Sequence, residues 1–211
     1  MKYYKLSLSV EEEETGVFPQ AQYGKRQFSK VRDMKFYEFA TLDPNVELVL
    51  EEGANLTSFL STILPFSFVV DQKVKKILEG YNLPPHRYYS VKVMDKHTVH
   101  YYYWLHVIID DFFDVVDMTR TVLKVQYVTR PQDIIDLLKF EDKESILKFR
   151  KRLRLGYKLK FHEIHFKDQI LEYDFYQMQF VEHFGFINDK LKKHLEEEQV
   201  TGFRIRPLPL P

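Results

Sequence analysis

The sequence predicts an α+β fold, a mostly antiparallel sheet with a few helices, containing two strand–helix–strand units that echo each other. Three observations predict it. Residues 88–93 and 99–109 alternate with the period of two that marks strands. Behind Asp71, an N-capping carboxylate, Val74, Ile77, Leu78 and Tyr81 fall at i, i+3, i+4 and i+7, one apolar helical face. The same design returns near the C-terminus, over residues 184–196 and 200–205.

A chain of 211 residues has ample core for one α+β domain over 1–211. The alternative is two half-domains of about 1–130 and 131–206 sharing one core, with 207–211 an extended proline-rich tail. Aromatics reach 16%, with 14 Tyr and 18 Phe against one Trp, which fits β-rich packing. Lys+Arg and Asp+Glu are both 31, so there is no basic excess of the kind a general nucleic-acid binder needs. With no Cys there are no disulfides, thiolate nucleophiles or Cys-ligated zinc. Neither a signal-peptide core nor an apolar run of membrane-spanning length is present, so the expectation is a cytoplasmic protein with no membrane partner.

Taken in order, residues 2–10 alternate as a first strand, and Glu11 to Glu14 read as a solvated loop or helix start. Residues 16–35 read as loop, with Pro19 and Gly24 as breakers. Short strands are expected at 34–42 and 46–50 about an Asp43-Pro44-Asn45 turn, and a short helical turn at 56–63. The first unit follows: an apolar run at 66–70, the helix from Asp71 stopped by Gly80 and Pro84-Pro85, and the strand at 87–93. After a turn at Asp95-Lys96-His97, residues 99–109 are apolar or aromatic on both faces, which predicts a central strand covered on both sides. A strand at 122–128, a helix or strand at 132–140 and a helix at 143–153 come next. Residues 157–166 and 170–180 alternate like a hairpin turning at Lys167-Asp168. In the echo, skipping one residue after Gln72, Phe66, Phe68, Asp71, Lys75 and Leu78 pair with Phe184, Phe186, Asp189, Lys192 and Leu195.

Several side-chain groups have the residue types that chemistry needs. Asp110, Asp111 and Asp114, with Asp117, would place carboxylates near one face of a helix, as a divalent metal requires. The bulky residues between them favour a solvated interstrand loop. His162 and His165 are three apart on a predicted strand, not four apart on a helix as zincin chemistry needs. His100 and His106 share a face of the aromatic strand, where ring stacking is the default. Tyr101-Tyr102-Tyr103-Trp104 reads as core packing, with a stacking platform for bases or sugars as the alternative. The basic run Lys148 to Arg154 reads as a solvated helix face. No glycine-rich phosphate cradle, nucleophile elbow or other catalytic signature is present, so no catalytic, cofactor or metal residue is assigned.

Segment order carries the remaining signal: Tyr3-Tyr4-Lys5-Leu6, Val17-Phe18-Pro19-Gln20, the capped helix with Asn82-Leu83, and Tyr88 to Val93. Then come Leu105-His106-Val107-Ile108, Asp114 to Asp117, Tyr173-Asp174-Phe175, and Phe186-Ile187-Asn188-Asp189 with Val200-Thr201-Gly202-Phe203. This order resembles a bacterial toxin-immunity domain family of polymorphic toxin systems, long carried as a domain of unknown function. The chain departs from it in lacking a Cys near Asp117 and in an N-terminal third that matches only through its first strand. The resemblance implies a cytoplasmic, non-catalytic protein that neutralises a cognate toxin by binding it. It supplies no contact residues. The acidic runs at Glu11–Glu14 and Asp110–Asp117 are the candidates for steering a basic toxin surface. The alternatives are a small metal-dependent enzyme using Asp110, Asp111 and Asp114, and a ligand-binding module built on the aromatic strand.

Overall fold

The computed structural model describes every residue except 1, 25–30, 32–33, 36, 42, 66, 109–111, 168–171, 179–180, 183 and 209–211, and does not describe the side chains of 67, 112 and 114. In chain order the elements are β1 (Tyr3–Leu8), α1 (Glu12–Thr15), β2 (Ala21–Tyr23), β3 (Val46–Leu50), β4 (Phe59–Leu60), β5 (Ser67–Val70), α2 (Gln72–Leu78), β6 (His86–Asp95) and β7 (Thr98–Val107). They continue with α3 (Phe112–Val115), β8 (Val122–Tyr127), β9 (Ile134–Leu138), α4 (Lys143–Arg152), β10 (Tyr157–Glu163), β11 (Phe175–Met178), β12 (Phe184–Asn188), α5 (Asp189–Glu197) and β13 (Phe203–Pro207). The fold is α+β. Among the described residues three sheets form, ordered β2-β3-β6-β7-β5-β4, β11-β12-β1-β13 and β10-β8-β9; of their strand pairs only β3–β6 is parallel, and an isolated parallel bridge joins Ala21 to Thr62.

Both echoing units are strand–helix–strand, and in each a third strand lies between the two. β7 separates β5 from β6, and β1 separates β12 from β13. The helices start alike: Asp71 accepts the Val74 amide at 2.8 Å, and Asn188 accepts the Leu191 amide at 2.9 Å. Those caps set the alignment at a constant 117 residues (188 minus 71), so Asp71 corresponds to Asn188, not to the expected Asp189, and no residue is skipped. The physical reason is that the cap is fixed by which side chain reaches the third helical amide, not by matching acidic letters. On this register the salt bridge Lys75–Glu79 (2.6 Å) falls on Lys192–Glu196 (2.7 Å). Phe68 falls on Gly185.

The units grip each other reciprocally. The Phe59 amide at the start of β4 donates to the Thr201 carbonyl after α5 (2.9 Å), and the Asp174 amide before β11 donates to the Asn82 carbonyl after α2 (2.8 Å). Tyr81 Oη and His194 Nδ1 meet between the helices at 2.9 Å. A β-carbon on Gly185 would lie 3.1 Å from ring atoms of both Phe68 and Phe175, so the hydrogen at this position is what lets the equivalent Phe68 ring seat. One core cluster runs through all three sheets, from Leu6 and Phe59 through Leu123 and Phe161 to Leu195. A second, with Tyr89, Val93 and Trp104, lies under the larger sheet and is joined by Val31, Met34 and Ala40.

Several expectations are corrected. Residues 34–42 carry no strand among those described: the Ala40 amide donates to Tyr89 Oη at 2.8 Å, so this stretch covers the core as coil. Residues 56–63 hold β4, not a helical turn, because Phe59 and Leu60 pair with Val70 and Val69. β2 forms inside the stretch read as loop, held by β3. The hairpin over 157–180 does not form: β10 pairs with β8, and β11 pairs with β12. Its proposed turn residue Asp168 lies outside the described residues. β13 runs through Pro207, tolerated because β13 is an edge strand with Tyr4 as its only ladder partner there.

Candidate partner-binding face

The small sheet β10-β8-β9 has two unlike faces. Leu123 and Val125 on β8 lie opposite Phe161 and Leu159 on β10, and all four join the main core with Ile146 of α4. Cross-strand partners share a face. The other face therefore carries Lys124 opposite Lys160, and Gln126 opposite Lys158.

β9 continues that second face outward. Leu137 lies opposite Lys124, and Ile134 opposite Gln126, with a bulge at the register shift beside Gln126. Ile134, Ile135 and Leu137 are 46%, 48% and 49% exposed, on a strand whose pattern reads as core. Val128 and Leu155 are also exposed at the same end, where the Val128 amide meets the Gly156 carbonyl at 2.8 Å. β9 has a single strand neighbour, β8. The Leu137 amide is taken by the Asp136 carboxylate at 2.8 Å. That local bond blunts the edge against further strand addition. What remains is a side-chain surface: three aliphatic residues on the rim and a lysine row beside them.

The electrostatics are lopsided. Residues 121–167 hold 12 Lys and Arg against 6 Asp and Glu, a net +6, so the rest of this neutral chain carries −6. Lys160 is tied to Glu182 at 3.2 Å, while Lys124 and Lys158 have no ion-pair partner among the described residues. Arg130 bridges Asp133 at 3.4 Å and lies 4.5 Å over the Tyr127 ring. Exposed apolar residues beside a sign-biased charge row are the ingredients of a protein-binding surface.

The residues singled out from sequence fall elsewhere. Asp110 and Asp111, with the side chain of Asp114, lie outside the described residues. Asp117 accepts the Thr119 amide (3.1 Å) and hydroxyl (2.7 Å), which hold its carboxyl below the usual range. His162 is exposed on β10, whereas His165 Nε2 meets Glu163 Oε1 at 2.6 Å, so the two histidines are not brought together. Among the described residues no three His, Cys, Asp or Glu converge as a metal site would require. His106 is buried and stacked on Trp104, with ring centroids 6.1 Å apart. Trp104 has no exposed surface, Tyr102 donates to the Thr57 carbonyl at 3.0 Å, and Tyr103 donates to Gln72 at 2.6 Å. Of the Tyr101–Trp104 stretch only Tyr101, 67% exposed, faces outward, two residues from the exposed Val99. Glu14 is a structural residue: it accepts the Gly202 amide (2.8 Å) and pairs with Arg204 (2.9 Å), which outweigh burial and hold its carboxyl low. The acidic run it belongs to is thus partly spent on the fold.

An open cavity of about 510 Å³ is lined by Lys2, Asp174, Asn188, Asp189, Lys190 and Lys193. Its central polar groups are already engaged: Asp174 accepts the Asn82 amide, and Asn188 caps α5. The β9 face was missed in the sequence because Ile134-Ile135 and Leu137-Leu138 look like any buried strand. No family model matches the chain, and no curated protein matches it either.

Proposed function

We propose that this protein is an immunity protein of the polymorphic-toxin kind, binding and neutralising a cognate bacterial toxin in the cytoplasm without catalysis of its own. The observation that carries the reading is the β9 rim: three adjacent aliphatic side chains, each nearly half exposed, on a sheet anchored to the main core. A rigid scaffold presenting a pre-formed apolar rim loses little conformational freedom on binding, which is what tight inhibition requires. The segment order that resembles the immunity family supports the same reading. Co-expression with the toxin-like protein encoded by the adjacent gene should restore growth and yield a complex that survives size-exclusion chromatography. Neither rescue nor complex would overturn the proposal.

A further inference from the structure

We propose that the β9 rim and its lysine row dock an acidic protein surface, and that this face does not pair with a second copy of the chain. This rests on the binding-protein reading above and names the chemistry of the partner at that site. Leu137, Lys124 and Lys160 form one cross-strand row, and Ile134, Gln126 and Lys158 form the next. Gln126 is buried and Lys160 is held by Glu182, so an occupant of this face meets Ile134 and Leu137 on one flank and the half-exposed Lys124 and Lys158 ammonium groups on the other. Carboxylates beside an apolar patch satisfy both.

The same geometry disfavours the other occupants. Two copies packing this face against itself would set their lysine rows against each other, because a symmetric contact places a patch against itself. Simple ladder extension is opposed by the Asp136 carboxylate on the Leu137 amide. A nucleic acid would answer the lysines, but it leaves Ile134, Ile135 and Leu137 without an apolar partner.

The test uses the full chain and the toxin protein encoded beside it, with Lys124→Glu/Lys158→Glu as the charge variant and Leu137→Asp as the rim variant. Lys193→Glu on α5 serves as a distant control, and thermal melts confirm that each variant folds. The wild-type association rate should fall as NaCl is raised. The charge variant should associate at least tenfold more slowly at low salt and lose most of that salt dependence. Leu137→Asp should weaken Kd by about 100-fold or more through faster dissociation, and Lys193→Glu should leave both constants within threefold. A wild-type complex untouched by both site variants overturns this inference while leaving the immunity reading standing. A wild-type chain that neither binds nor rescues removes that reading and this one with it. Two further results also overturn the inference: a sedimentation dimer that Leu137→Asp makes monomeric, or binding of a DNA duplex at 150 mM salt that the charge variant abolishes.

Discussion

Glu182 joins strands that chain order keeps far apart. Its carboxylate accepts Lys5 of β1 at 2.7 Å, sits 3.2 Å from Lys160 of β10, and takes the Phe161 amide at 3.1 Å, with the side chain only 11% exposed. Burial pushes the carboxyl up, but Lys5, Lys160 and the Phe161 amide together outweigh it and hold the group below its ordinary range. Lys5 is drawn down by its own burial more than Glu182 draws it up, so losing the carboxylate leaves a buried ammonium poorly answered. The sign follows. A carboxyl depressed in the folded state contributes stability above its unfolded value of about 4.3, and that contribution is lost as pH falls through the folded value. Glu182→Gln should cost about 1–3 kcal/mol at pH 7, a fall of roughly 2–10 °C in Tm. The gap should narrow as pH falls through about 4.3 toward 3. A gap unchanged at that pH would place the effect in packing instead. None of this network was legible in the sequence, because Glu182, Lys5 and Lys160 share no local pattern; three-dimensional pairing alone brings them together.

At the scale of elements, legibility tracked locality. α2 could be read because its cap, apolar face and stop all lie within one short stretch, and α5 through its likeness to α2, though one residue off at the cap. The β6–β7 hairpin could be read because Lys96, at φ 51, and His97 close it in two residues. Alternation found β10 and β11 but not their partners, since period two marks a strand without saying which edge it joins. Likewise Ile134-Ile135 announced an apolar strand, while its exposure depends on β9 lying at the edge of a sheet whose core face is filled by others. The caps offer a direct comparison. Asp71→Ala should lower stability by about 1 kcal/mol. Asn188→Ala should cost more, about 2 kcal/mol, because the buried Asn188 amide also donates to Asp174. Chemical denaturation of the two single variants checks the order; equal losses would mean that the Asp174 contact adds nothing.

Taken whole, the molecule holds two like units, one continuous in sequence and one cut. In the first, β6 turns directly into β7; in the second, β13 and β1 pair in the same antiparallel way with no turn joining them. Tyr4 pairs with Pro207 and Leu8 with Phe203, so the end of β13 lies beside the start of β1. A permuted chain that joins Leu208 to Lys2 through a short Gly-Ser turn and opens between Lys96 and His97 moves the cut from one unit to the other. It should fold cooperatively with a Tm within about 10 °C of the parent, since exchanging one short closure for another changes little chain entropy. A permuted chain lacking a cooperative melt would show that the two cuts are not equivalent.

The cut also sets an order of events at the ribosome. β1 is made about 180 residues before β12 and about 200 before β13, its two neighbours. At the roughly 5–20 residues per second of synthesis, Tyr3 and Leu6 wait on the order of ten to forty seconds for a sheet to join. The first unit, by contrast, completes itself between Ser67 and Val107 while translation continues. A nascent chain thus carries a finished unit beside a lone greasy strand, and that strand gains its neighbours only when β12 and β13 fold back onto it.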